Sequence, residues 1–308
     1  LSSEDKKLTH LPEFEFIVTL VAVPIGHPQD LSPRAKETIQ DSQVVFCEDS
    51  RKLRTLAEKT NIDLGDKKII PLPGDQESTF DFDSCFLSLK KKNLFRICFV
   101  SDAGSPVISD PGQGLLRYSR QKNFQVKAVP GPSAWVLALQ WSGAFGLPFC
   151  FGGFAPKAKS SQSQELQFFF DLAKQNSRGT FCFFDTKHQY SKTLGFLAQD
   201  EILSHQKLYV CREMTKPHED IFMASPAEVL KYLQEKEKAL DGALGEMSFV
   251  LDLGQSAQKK KLTSEPLENS EVLNLCHIIR KGSPKEAAKA MSRLSGVAVS
   301  DCYKKIIS

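Results

Sequence analysis

"SDAGSPVISDPG", residues 101–112, follows directly on the apolar run "FRICFV". Gly104, Gly112, Pro106 and Pro111 sit beside Asp102 and Asp110, and Ser-Asp-x-Gly begins at 101 and again at 109. These residues make turns for different reasons. Gly tolerates positive φ, Pro presets φ, and Asp bonds its own backbone. Placed between a β-rich run and the helix-like stretch 112–121, the segment reads as a loop joining a strand to a helix. The same alternation surrounds it. Strand-like runs at 15–23, 43–48, 68–72, 95–100 and 125–129 are separated by helix-like stretches at 32–40, 50–60, 80–92 and 112–121. That pattern predicts a mostly parallel sheet with helices on both faces.

The pattern changes after "VPGPSA" and the helix "SAWVLALQWSG". Strand-like runs recur at 149–154, 180–184, 207–213 and 247–253, with helical stretches at 163–175, 187–199 and 226–238. We read a first α/β domain over 1–131 and a second over 132–254, the second with room for antiparallel pairs. A polar linker over 255–270 and a basic helical extension over 271–308 complete the chain. In that extension "SPKE" at 283–286 has the form of a capping box, and Gly296 is placed to end its helix.

Composition narrows the class. The chain has 308 residues, 41% hydrophobic and 25% charged, with a net charge of +3, as expected of a globular protein with a sizeable core. Its eight cysteines lie mostly in apolar runs and none is spaced C-x-x-C. They read as core side chains in a reducing compartment. No Cys/His/carboxylate set has ligand spacing, so no metal site is expected. No apolar run reaches the roughly 20 residues of a membrane span, and the opening "LSSEDKKLTH" lacks the apolar core of a signal peptide. The expectation is a soluble, cytoplasmic protein with no membrane partner.

Three Gly/Pro-rich loops follow first-domain strands: "VPIGHPQDLS" (23–32), "SDAGSPVISDPG" and "VPGPSA" (129–134). In an open parallel sheet the carboxyl ends of the strands share one edge, and ligands bind in the crevice there. The loops lack the Walker A pattern, a Gly-x-Gly-x-x-Gly after the first strand, and the Lys and Arg that a triphosphate needs. Backbone-rich, nearly uncharged loops suit an adenosine ligand without phosphates, and S-adenosylmethionine is one. Each loop alone is also compatible with an ordinary turn.

Five stretches, "VAVPIGHPQDLSPRA", "FCEDSR", "SDAGSPVISDPG", "VPGPSA" and "CREMTKPHE", occur in this order between about 18 and 254. Together they resemble the tetrapyrrole methylase-like superfamily and, within it, the bacterial 16S ribosomal RNA cytidine 2′-O-methyltransferase family. The tail "SPKEAAKAMSRLSGVAVSDCYKK" is similar to that family's RNA-binding helices. The resemblance implies two α/β domains with S-adenosylmethionine between them, a ribose 2′-hydroxyl of 16S ribosomal RNA in the 30S subunit as substrate, and a homodimer. By motif, the cofactor would touch Pro24, Gly26, Ser101, Asp102, Ala103, Gly104, Pro106, Ser133 and Ala134, with Phe183, Phe184 and Met214 from the second domain. The chain departs from the family pattern at His27, at "IPLPGDQEST" (70–79), at "GGFAPKAK" (152–159) and at "FFDTKHQ" (183–189).

Methyl transfer from a sulfonium needs alignment above all, and a weak ribose nucleophile gains from a nearby acceptor. Candidates are Glu48, Asp49 and Arg51 of "CEDSR" at the same sheet edge, and Lys216 and His218 of "REMTKPHE". The first three are equally readable as an ion-pair cluster capping a helix. Asp110 is expected to cap the helix after its loop. Residues 256–308 carry 10 basic and 5 acidic side chains, against 30 and 32 in the rest. Lys281, Lys285, Lys289 and Arg293 recur every four residues, and with Lys304 and Lys305 they form a candidate phosphate-binding set. Two other functions fit the same residues: a small-molecule methylase of this fold, which has no need of a basic tail, and a non-catalytic RNA-binding descendant.

Overall fold

A computed structural model of the chain describes residues 15–144, 148–175, 179–253, 288, 292 and 298–307. Five strands form the first sheet: β1 (Ile17–Val21), β2 (Val44–Cys47), β3 (Lys68–Pro71), β4 (Arg96–Val100) and β5 (Gln125–Val129). Their order is β3-β2-β4-β1-β5, and every pair is parallel. Between them run α1 (Pro33–Asp41), α2 (Ser50–Thr60), α3 (Phe82–Lys91) and α4 (Gln113–Gln121).

Period-two alternation explains why both faces of this sheet are covered. On β2, Val45 and Cys47 pack with Ala35 and Ile39 of α1 and Leu53 and Ala57 of α2. Val44 and Phe46 point the other way, to Phe86 and Leu89 of α3 and Leu115 of α4. Local signals set the helix starts. Ser32 caps α1 ahead of Pro33, and Asp49 caps α2.

The second sheet holds β6 (Phe149–Phe154), β7 (Thr180–Asp185), β8 (Lys207–Arg212), β9 (Asp220–Ala224) and β10 (Met247–Asp252) in the order β6-β7-β10-β8-β9. Only β6 and β7 pair in parallel; the other contacts are antiparallel. The edge strand β9 was not anticipated. Helix α5 (Ala134–Ser142) covers one face, where Ala138 meets Cys182, Cys211 and Val250. Helices α6 (Gln164–Gln175), α7 (Tyr190–Gln199) and α8 (Pro226–Ala239) accompany the opposite face, built around Phe181, Phe183 and Phe249. The architecture is therefore two α/β domains.

Both sheets belong to one compact unit, Leu1–Gln255; Ser256–Ser308 form another. In the second unit α9 (Val299–Ile307) forms where "VSDCYKKII" predicted a helix. The candidates Lys281, Lys285, Lys289 and Arg293 lie outside the described residues, as do the linker and the "SPKE" box. No described helix is long and apolar enough to cross a membrane.

Candidate active site

The three loops meet where the sequence placed them, at the carboxyl edge of the first sheet. Val23 and Gly104 exchange two backbone hydrogen bonds, at 2.9 and 3.1 Å. The Ser105 hydroxyl donates to the Pro132 carbonyl at 3.1 Å. The approach is close enough to need glycine. A Cβ on Gly131 would stand 2.9 Å from that of Ala22, and Gly104 has φ +71° with Ile25 Cγ2 at 3.3 Å from where its Cβ would be.

Beyond this junction the 101–112 loop is held under strain. Val107 and Ser109 adopt φ of +75° and +64°, and for a β-branched residue that is an outlier costing about 1–3 kcal/mol. The Val107 N–H donates back to the Pro111 carbonyl. At the loop's end Gly112, with φ +115°, occupies the N-cap of α4 and offers no side-chain cap. Glu77 does that work from the loop after β3. Its carboxylate accepts the N–H groups of Gly112, Gly114 and Leu115. Asp110 is therefore not the cap expected of it.

Asp110 instead lines a cavity of about 770 Å3 between the two sheets. From the first domain come Ile25, Ala103, Gly104 and Ile108, and from the start of α5, over the second sheet, come Ser133, Ala134 and Trp135. From the second come Phe154, Phe184, Asp185, Lys187, His188, Glu213, Met214 and His218, with Gly245 to Ser248. The carboxyl ends of β6, β7 and β8 and the start of antiparallel β10 supply this wall, so the second sheet also offers one edge.

The carboxylates around the cavity divide into paired and unpaired. Asp102 Oδ1 accepts the Asp49 N–H at 3.1 Å, and its Oδ2 pairs with Lys52 at 2.8 Å. Glu48 accepts the Asp102 N–H. Lys216 joins Glu213 at 3.0 Å to Glu246 at 3.1 Å. Asp110 has no hydrogen-bond or ion-pair partner among the described residues. Burial, followed by the charges of Glu48, Asp102 and Glu246, pushes its carboxyl up to about 7. Asp185 is 4% exposed. Its Oδ1 accepts the Thr186 N–H, its Oδ2 accepts none, and burial pushes it up to about 6 against the Thr186 N–H and the nearby Thr193 hydroxyl. The buried Trp135 Nε1–H also lacks an acceptor. Buried orphan polar atoms are uncommon, and both belong to residues lining this cavity.

Of the residues carried over for cofactor contact, Ala103, Gly104, Ser133, Ala134, Phe184 and Met214 line the cavity. Ser133 starts α5 without spending its hydroxyl on a cap. Pro24, Gly26, Ser101, Asp102 and Pro106 are not among the lining residues. Gly26 lies so near the second domain that a Cβ there would be 2.6 Å from Lys216 Cγ and Thr215 Oγ1. Phe183 points to the opposite face of its sheet, into the core.

Glu48, Asp49, Arg51 and Lys216, expected beside a reacting hydroxyl, do not line the cavity. Asp49 caps α2 and pairs with Arg51 at 2.7 Å, while the Arg51 side chain is 89% exposed. Glu48 secures the 101–112 loop, and Lys216 is held between two carboxylates behind Gly26. Asp110 was not singled out for the site by sequence; its signal is the absence of a partner. Lys304 is exposed on α9, and Lys305 lies in the same helix.

Comparison with known proteins places this architecture. Residues 18–230 match the family model described as tetrapyrrole (corrin/porphyrin) methylases. A Mycoplasma genitalium protein named ribosomal RNA small subunit methyltransferase I is 32% identical over 212 residues, 68% of this chain and 72% of that protein. A Thermotoga maritima protein of the same name is 31% identical over 232 residues, 75% of this chain and 96% of that protein. In fold, the chain is similar to a cobalamin biosynthetic enzyme, cobalt precorrin-4 methyltransferase. That likeness has a TM-score of 0.55 at 14% identity and covers 80% of this chain and 98% of the other. Loop convergence, paired sheets and sequence similarity agree: the chain belongs to the tetrapyrrole (corrin/porphyrin) methylase family and, within it, to the ribosomal RNA small subunit methyltransferase I family.

Proposed function

We propose that the chain is an S-adenosylmethionine-dependent methyltransferase acting on the ribose 2′-hydroxyl of a cytidine in 16S ribosomal RNA, in or near the 30S subunit. The observation that carries the cofactor assignment is the unpaired Asp110 carboxylate in a mostly apolar cavity. A ligand with a cationic end and a neutral nucleoside fits that set of groups; a triphosphate does not. Bound there, S-adenosylmethionine supplies an electrophilic methyl carbon on its sulfonium.

The protein's own residues bind and orient. Asp110 would hold the ligand's ammonium, and the Gly104 and Ala134 backbones would bring the loops close to its body. Met214 and Phe184 would cover its apolar faces. Glu48, Asp49, Arg51 and Lys216 act in this reading as positioning residues. They hold the 101–112 loop and the 213–216 turn in place. The division at 131 and 254 belongs to the same proposal. So do a homodimer, a cytoplasmic location and an RNA-binding tail carrying Lys281, Lys285, Lys289, Arg293, Lys304 and Lys305. Basic residues on such a tail would hold RNA through its phosphates.

The test offers labelled S-adenosylmethionine with naked 16S RNA, 30S subunits lacking the mark, and a tetrapyrrole, side by side. Label on the RNA or the subunit, located to a cytidine ribose, supports the proposal. Label on the tetrapyrrole alone overturns it.

A further inference from the structure

An aromatic ladder runs along one wall of the cavity and ends on an exposed ring. Trp135 stacks on Phe151 at 5.3 Å, Phe151 meets Phe184 edge-on at 5.0 Å, and Phe184 meets Phe154 edge-on at 5.3 Å. Phe154 is nonetheless 54% exposed. The backbone beside it approaches the 101–112 loop, where a Cβ on Gly153 would lie 3.5 Å from Ser109 Oγ. The strained turn there, with positive φ at both Val107 and Ser109, presents Ile108 to the same cavity at 46% exposure. Two large apolar side chains, one from each domain, thus stay uncovered on one cavity lining, and Phe154 is buttressed by Phe184. Exposed Lys187 and His188 lie on the same lining, and Lys187 has no ion-pair partner among the described residues.

We propose that Phe154, with Ile108 on the same lining, is a platform for an unstacked nucleobase of the RNA substrate, with Lys187 and His188 of that lining for the strand's phosphates. The inference rests on the functional reading above. A planar apolar face joined to an anionic backbone is the chemistry of single-stranded RNA, which proteins hold by stacking bases on aromatic rings. Of the carboxylates on this lining, Glu213 and Glu246 share Lys216, Asp185 is buried, and Asp110 faces the site proposed for the cofactor.

Steady-state methylation of 30S subunits lacking the mark, by wild type, Phe154→Ala and Phe154→Tyr, tests the platform. Calorimetry with S-adenosylmethionine and light scattering accompany it. The expected result is a KM for 30S subunits raised about ten-fold in Phe154→Ala. The values of kcat, cofactor affinity and molecular mass stay within two-fold, and Phe154→Tyr restores KM. An unchanged KM overturns the proposal. So does a parallel loss of cofactor affinity, which assigns the ring to the cofactor, or a change of mass, which assigns it to a contact between copies. If wild type itself leaves 30S subunits unlabelled, the functional reading falls and the platform with it. If wild type labels them and Phe154→Ala does so equally well, only the platform falls.

Discussion

Glu77 Oε1 accepts the Gly112 N–H at 3.0 Å, so a side chain 35 residues away caps helix α4 and leaves Asp110 free for the cavity. The Glu77→Ala variant leaves the Gly112 and Gly114 N–H groups without their acceptor. A lost cap with unsatisfied donors costs about 1–2 kcal/mol. Urea unfolding should show that loss as a lower midpoint with an unchanged slope. Calorimetry should show weakened cofactor binding as well, because the end of the 101–112 loop loses its anchor. Full stability in Glu77→Ala would mean that water replaces the carboxylate.

Asp110→Asn tests the cofactor's cation directly. The fold should survive, because the side chain has no partner to lose, and affinity for S-adenosylmethionine should fall ten-fold or more. The pH dependence has a definite sign. With the Asp110 carboxyl at about 7, against an ordinary 3.8, the folded apo-protein binds the extra proton between those values. Stability from this group is therefore lost as pH rises from about 4 to about 7. Affinity for a cationic ligand moves oppositely, rising as pH passes about 7 and the carboxyl ionises. Calorimetry from pH 5.5 to 8.5 checks this slope, which should flatten in Asp110→Asn.

How much of this was legible in sequence depended on how far each signal reached along the chain. Nine of the ten described strands lie in the expected β-rich runs, because Val, Ile and Phe concentrate there. Strand β9, "DIFMA", lies between Pro217 and Pro226 and forms a sheet edge, paired only with β8. Its five residues carry little pattern of their own. The helix starts at Ser32 and Asp49 were readable because cap and helix are neighbours. The cap of α4 was not, since "SDPG" looks like a local cap and Glu77 arrives from another loop. For the same reason "CEDSR" could be read as a helix cap or as a substrate site, and its partner Asp102 appears only once β2 and β4 pair.

Gly104→Val tests the junction of loops. Its φ of +71° disfavours any side chain, and a branched one worst, and the new atoms meet Ile25 Cγ2. We expect cofactor binding to fall at least a hundred-fold while circular dichroism keeps its α/β signature. Normal binding by this variant would place the ligand elsewhere.

Trp135 and Trp141 are the chain's two tryptophans, and only Trp135 lines the cavity. In Trp141→Phe, emission therefore reports the cavity alone. Titration with S-adenosylmethionine should change its intensity or wavelength with the Kd found by calorimetry. An unresponsive Trp135 in a protein that binds by calorimetry would move the ligand off this wall.

Removing 256–308 separates the two binding functions. The deleted part carries 10 of the 40 basic residues, while every residue lining the cavity lies before 249. The truncated chain should keep its cofactor affinity and its unfolding midpoint. Its affinity for 16S RNA should fall, and so should the slope of log affinity against log salt, because that slope counts the phosphates neutralised. Filter binding at several salt concentrations measures both. Equal loss of cofactor and RNA binding would show that the tail supports the fold. A lower affinity with an unchanged salt slope would show that its contribution is not made through phosphates.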